Sequence, residues 1–240
     1  DNKLIIELII VARLEAADLI YGGARHLAML GVQEERARVI RSPMHEIYED
    51  IARELALGMQ IAVLASGDPC CFGIGPLLAA RLGQAHVRIE PSLSSIQLAF
   101  ARIGEPWQDA TLVSAHGRPI EPVIGPVLGS RRSAILTDPT HTPARIAAML
   151  EACGLEDCRV VIGEHLGSVQ ERVIESTLTG VQQLDVEPLN VMLVLRASGA
   201  RLLEPSWGRP DDAYNHRRGM ITKAEVRSVS LGLLSIAPGD

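Results

Sequence analysis

Aromatic residues are nearly missing from this chain: two Phe, two Trp and three Tyr in 240 residues. Any core must therefore be built from Leu, Ile, Val and Ala, which the 47% hydrophobic content supplies amply. Excess positive charge is missing too. The formal charge of −6 argues against a general nucleic-acid binder. No apolar run reaches membrane-spanning length, since Leu4–Ala12 is short and broken by Glu7. No secretory signal with a small-residue cleavage site is visible. The four cysteines, Cys70, Cys71, Cys153 and Cys158, lack the spacing of a zinc site. The reading expects reduced structural thiols in a cytoplasmic protein, with no metal and no membrane or nucleic-acid partner. Repeats and low-complexity tracts are absent.

The stretch that is most informative reads IAVLASGDPCCFGIG, from Ile61 to Gly75. Ile61–Ala65 is an apolar run of the kind found in buried parallel strands. It stops in Ser66-Gly67-Asp68-Pro69, where Gly67 permits positive φ and close approach of a ligand. A helix follows, with Pro76 in its first turn. A strand, a glycine turn and a helix place the turn at the carboxyl edge of a sheet, where open α/β folds bind ligands. The same turn also reads as a plain connection.

The pattern recurs along the chain. Arg13–Ala17 is helical in propensity. Asp18–Tyr21 reads as a strand ending in Gly22-Gly23, followed by Arg25 and His26, which serve as a solvated turn or as cationic contacts to an anion. Arg38–Arg41 is a short strand and Pro43–Leu57 a helix. Val87–Glu90 reads as a strand, and Ser94 or Ser95 as the cap of a helix over Ile96–Arg102. Alternating strands and helices with short loops indicate a parallel sheet. Gly104–Trp107 reads as the domain boundary. Beyond it the pattern predicts strands at Thr111–Ser114, Ser133–Thr137, Arg159–Gly163 and Asn190–Arg196, and helices at Ile120–Leu128 and Pro143–Cys153. Glu171–Leu178 suits a strand or a turn of helix. Three segments result: an α/β domain over 1–105, an α/β domain with a mixed sheet over 106–200, and a linker with an opening helix over 201–240. Thr222 and Glu225 form a capping box ahead of an apolar stripe of Val226, Val229, Leu231 and Leu234. That stripe leads us to expect a further domain beyond it, and a segment that is mobile or borrows a surface. The linker Ser206–Asp212 is expected to be exposed.

Several stretches stand in the order of a known family: Ala65-Ser66-Gly67-Asp68-Pro69, Pro91-Ser92-Leu93-Ser94-Ser95-Ile96-Gln97-Leu98-Ala99, Pro106-Trp107-Gln108-Asp109-Ala110, Ser114-Ala115-His116-Gly117-Arg118 and Leu189-Asn190-Val191. Together they resemble the tetrapyrrole methylases, and within them the precorrin C5-methyltransferases of cobalamin synthesis, over residues 13–200. Arg209–Tyr214, Met220–Arg227 and Pro238-Gly239-Asp240 resemble instead the opening of a decarboxylating C15-methyltransferase domain. The family's opening strand, with its glycine- and proline-containing loop, is not matched here, where Asp1-Asn2-Lys3 runs into Leu4–Ala12.

The resemblance implies two α/β domains with a cofactor cleft between them, holding S-adenosylmethionine and releasing S-adenosylhomocysteine. By motif, the cofactor would touch Ser66, Gly67, Asp68, Cys71, Ser94, Ser95, Thr137, Leu166 and Gly167. The substrate would be a precorrin tetrapyrrole, a polycarboxylate that Arg25, His26, Arg41 and Arg118 would face. His116 is the candidate base, or else a satisfied loop histidine. The resemblance further implies a homodimer, and methylation at C5, with C15 methylation and decarboxylation by the longer enzyme. The alternatives are action at another tetrapyrrole position, a regulatory domain that binds S-adenosylmethionine without turnover, and a dinucleotide oxidoreductase. The last would need Gly-x-Gly-x-x-Gly after the first strand, and Gly73-Ile74-Gly75 lacks the third glycine.

Overall fold

The computed structural model describes residues 13–41, 43–198, 200, 211 and 220–234. The chain divides into two compact units, Asp1–Ser94 and Ser95–Asp240. The stretch Leu4–Ala12, the linker Ser206–Asp212 apart from Asp211, and Pro238–Asp240 lie outside the described residues.

The first unit is organised by β1 (Leu19–Gly22), whose four residues are all buried. It pairs in parallel with β2 (Ala37–Val39) on one side and β3 (Ile61–Val63) on the other, giving the order β2-β1-β3. Strand alternation sends Leu19 and Tyr21 to one face, where they pack with Ile51 of α2 (Met44–Ala56) and Leu78 of α3 (Gly75–Leu82). Ile20 points to the other face, against Ala17 and Leu27 of α1 (Ala24–Met29). Tyr21 is fully buried, and its hydroxyl donates to Asp50 Oδ2 at 2.6 Å. Burial and the Asp50 carboxylate both push the phenol well above its ordinary pKa.

Two expectations are corrected here. The run Ile61–Ala65 is half-buried, not fully buried. It supplies an edge of the described sheet, and the buried central strand is β1. Val87–Glu90 carries no strand. A 3₁₀ turn over Gln84–His86 precedes it, and the segment lines, together with β3, a cavity of about 470 Å³. Glu90 there pairs with Arg13 and Arg88, each at 2.8 Å.

The second unit opens with α4 (Ser95–Ile103), which packs on β6 (Cys158–Glu164) and β8 (Asn190–Arg196). The division of the chain therefore falls before this helix, ahead of the Gly104–Trp107 stretch that composition marks. The five-stranded sheet runs β4-β5-β8-β6-β7, with β4 (Thr111–Ser114) parallel to β5 (Arg132–Leu136) and the other pairs antiparallel. Its main core joins Ile135, Val160, Ile162, Met192 and Val194 of the strands to α5 (Glu121–Leu128) and α6 (Pro143–Ala152). The Glu171–Leu178 stretch holds both a strand, β7 (Arg172–Ser176), and the start of a short helix, α7 (Leu178–Val181). α8 (Ala224–Leu234) has no buried residue, and Val226, Val229 and Leu234 on it are exposed. No helix among the described residues is long and apolar enough to cross a membrane.

Glu164 ends β6 with its side chain only 2% exposed. Arg172, opposite it in register, clasps both oxygens, with Nη2 donating to Oε1 at 2.9 Å, and the Glu187 amide donates to Oε1 at 2.8 Å. The Arg172 hydrogen bonds hold the Glu164 carboxyl below its ordinary pKa against the opposing effect of burial. A folded-state pKa below the unfolded value contributes stability above about pH 4.3, which is lost as pH falls through the folded value. Glu164→Gln is expected to lower unfolding free energy by about 1–3 kcal/mol at pH 7. Urea titrations of both proteins should show that difference shrinking as the pH is taken below about 4.

Candidate functional site

In the first unit, β1 leads into Gly22-Gly23 and β3 leads into Leu64-Ala65-Ser66. These two exits are close: the Leu64 amide donates to Tyr21 O at 2.7 Å, and a Cβ on Gly22 would lie 3.1 Å from the Leu64 side chain. α1 starts at Ala24, so Arg25 and His26 occupy its first turn. His26 Nε2 lies 3.0 Å from Ser66 Oγ, and Arg25 Nη2 is 3.5 Å from the same nitrogen. Burial first, and the Arg25 charge second, lower the His26 pKa and so favour the neutral ring.

The Ser66–Gly75 turn is built on its own backbone. Asp68 Oδ1 accepts the Cys70 amide at 2.7 Å, and Asp68 O accepts the Cys71 amide at 3.1 Å. Gly67 sits at φ +66°. Pro69 O accepts the Gly75 amide at 3.0 Å, and a Cβ at Gly73 would lie only 2.4 Å from that carbonyl oxygen. Cys71 shares a hydrogen bond with Ser94, and burial followed by the Asp68 charge raises its thiol pKa. The cavity beside β3 extends to Gly67, Pro69 and Ser92. The expected residues Arg25, His26 and Ser66 are thus brought together, as are Asp68, Cys71 and Ser94. Arg41 is exposed beyond β2.

In the second unit, parallel β4 and β5 release their loops at the same edge. The loops are cross-tied. His116 Nδ1 lies 3.0 Å from Thr137 O, and His141 Nδ1 lies 3.0 Å from Ala115 O. A carbonyl only accepts, so His116 Nδ1 carries the proton and Nε2 of the neutral ring is left as the acceptor. Asp138 completes the tie, accepting Gly117 N at 2.8 Å, Thr140 N at 2.8 Å and His141 N at 2.6 Å. The Gly117 and His141 amides hold its carboxyl far below the usual carboxylate range. Thr137 is buried and donates to Asn190 Oδ1 at 2.7 Å, joining β5 to β8. Arg118 lies exposed in the β4 loop.

The β6–β7 loop carries the other expected residues. Leu166 folds back over Gly163, where a Cβ would meet it at 2.8 Å. Gly167 is exposed at φ +83°. Ser95 begins α4. Sequence reasoning singled out Thr137 and passed over its neighbour Asp138 and His141. The Asp138-Pro139 pair directly after a strand is the turn signal that marks them. Among the described residues, no group of three or more His, Cys, Asp or Glu could hold a metal ion.

The model of the Tetrapyrrole (Corrin/Porphyrin) Methylases matches residues 10–182. A precorrin-6Y C(5,15)-methyltransferase [decarboxylating] of Sinorhizobium sp is 37% identical over 228 residues, covering 93% of this chain and 54% of the relative. A cobalt-precorrin-7 C(5)-methyltransferase of Salmonella typhimurium is 36% identical over 165 residues, covering 68% of this chain and 80% of the relative. The crystal structure of a precorrin-6Y methylase from Archaeoglobus fulgidus superposes with a TM-score of 0.54 at 27% identity, over 78% of this chain and 88% of that one. The chain spans about half the length of the precorrin-6Y relatives it matches.

The Ser66–Gly75 turn depends on Gly73, because no side chain fits 2.4 Å from a backbone oxygen. Gly73→Ala is expected to cost about 1–3 kcal/mol, the scale of a forced backbone shift. Urea unfolding of the variant beside the parent protein checks this.

Proposed function

For this chain, which belongs to the tetrapyrrole (corrin/porphyrin) methylases, we propose C-methylation of a precorrin macrocycle at C5, with S-adenosylmethionine as methyl donor, in cobalamin synthesis. The observation that carries this reading is the match, along nearly the whole chain, to relatives bearing that activity in their names. In the longer protein, methylation at C15 with decarboxylation would accompany it. A homodimer and a cytoplasmic location belong to the same reading, and light scattering at micromolar concentration tests the first.

When bound, S-adenosylmethionine supplies a methyl group on a sulfonium, which departs as the neutral thioether of S-adenosylhomocysteine. The chain's part is placement and exclusion of water more than acid–base power. In the first unit the residues that would hold the donor are Ser66, Gly67, Asp68, Cys71 and Ser94. They fit, since Gly67 leaves bare backbone beside the cavity and, among the described residues, Asp68 engages only Oδ1, on the Cys70 amide. Ser95, Thr137, Leu166 and Gly167 are the contributors from the second unit. Arg25, His26, Arg41 and Arg118 would meet the substrate's carboxylates. His116 would take up the proton that the macrocycle loses, on Nε2, the nitrogen its bond to Thr137 O leaves unprotonated.

Two variants test the roles separately. Gly67→Val should weaken S-adenosylhomocysteine binding strongly in calorimetry, with NAD as the non-binding control. Unchanged affinity would remove the turn from the site. His116→Asn keeps a donor for Thr137 O but no base, so kcat in a tetrapyrrole methylation assay should fall about 10²–10⁴-fold with KM for S-adenosylmethionine unaltered. An unaffected kcat would leave His116 as a loop residue.

A further inference from the structure

The β6–β7 loop is held from outside by a pair of residues that no part of the reading above employs. Glu171 stands just before β7. Its Oε2 accepts the Gly167 amide at 2.7 Å. Arg102 of α4 grips the same carboxylate with both Nε and Nη2, the latter at 2.9 Å from Oε2. Four residues earlier on α4, and so on the same face, Leu98 lies where a Cβ on Gly167 would touch it at 3.4 Å. One helix thus reaches this turn through the Arg102–Glu171 pair, with Leu98 beside it. The Arg102 side chain is 41% exposed and the Glu171 side chain 21%. An ion pair that open contributes little to stability. Its geometry is more specific than its energy: a two-point fork that fixes where the carboxylate sits and, through it, where the Gly167 N–H points.

A consequence follows for the turn. The Gly167 N–H is already used, so it cannot also donate to a ligand. Gly167 contributes there by having no side chain, at a φ of +83° that other residues rarely adopt.

We propose that Arg102 and Glu171 are positioning residues for methyl-donor binding. They tie the Leu166–Gly167 turn to α4, the helix that begins at Ser95, and so fix two parts of the expected donor site relative to each other. This rests on the reading of Leu166, Gly167 and Ser95 as donor contacts.

The test is calorimetric titration of S-adenosylhomocysteine into the whole chain, its Glu171→Ala variant and its Arg102→Lys variant. Glu171→Ala should weaken binding roughly ten- to a hundredfold, the scale of a misplaced binding group, with the melting temperature nearly unchanged. Arg102→Lys keeps the charge and loses the fork, so it should fall between parent and Glu171→Ala. In turnover, KM for S-adenosylmethionine should rise with kcat at saturation and KM for the tetrapyrrole unchanged, a split that general destabilisation would not produce. Equal affinity in all three proteins overturns the latch and leaves the function standing. Absence of binding by the unaltered chain overturns the donor site and the latch with it. Should Glu171→Ala fail to fold, parent-like affinity in Arg102→Lys still overturns the proposal.

Discussion

A carboxylate that accepts backbone amides is the interaction on which the loops of this chain depend. Strand ends leave N–H groups with no ladder partner, and an unmatched amide away from water is costly. Asp68 takes the Cys70 amide, Asp138 takes those of Gly117, Thr140 and His141, Glu164 takes that of Glu187, and Glu171 takes that of Gly167. Each is a charge-assisted bond, stronger than a neutral one. Two of the four carboxylates are then neutralised in turn by arginine, Glu164 by Arg172 and Glu171 by Arg102. The acidic balance of the chain is thus partly spent inside its own turns.

Among the described residues, the two units solve the same packing problem with different amounts of sheet. In the second, five strands and the helices on them build one large cluster in which Val160, Ile162, Met192 and Val194 are essentially without solvent contact. In the first, among the described residues, three parallel strands carry two small clusters on opposite faces of β1. Tyr21, on the central strand, adds a buried polar contact to Asp50. The cavity beside β3 leaves a strand edge without a ladder partner among the described residues.

Histidine placement illustrates how a fold assigns chemistry that composition cannot. His26 has its neutral form favoured by burial and a neighbouring guanidinium, and it shares a hydrogen bond with Ser66. His116 has its tautomer chosen by a carbonyl on the adjacent strand end. His141 is pinned by Ala115 O and Asp138. One residue type serves as a loop tie, a hydroxyl partner and a candidate base, according to which atoms lie 3 Å away.

The sequence by itself determined what local patterning controls. Apolar runs bounded by glycine and proline marked the strands at Thr111–Ser114 and Asn190–Arg196, and Pro76 and Pro143 marked two helix starts. The Ser66–Pro69 turn was legible because Gly and Pro constrain φ wherever they stand. Tertiary structure decided everything that depends on a partner distant in the chain. Val87–Glu90 has the composition of a strand, yet a strand exists only where a neighbour supplies its hydrogen bonds. Ile61–Ala65 reads as a buried strand from apolarity alone, which does not tell that it lies at an edge of the described sheet. Arg102 and Glu171 gave no distinct signal and Asp138 only the turn signal of its Asp-Pro pair, since a carboxylate becomes a loop clamp only when folding brings an amide or a guanidinium 21 or 69 residues away within reach. Periodicity is a property of neighbours in sequence, whereas a site is made by neighbours in space.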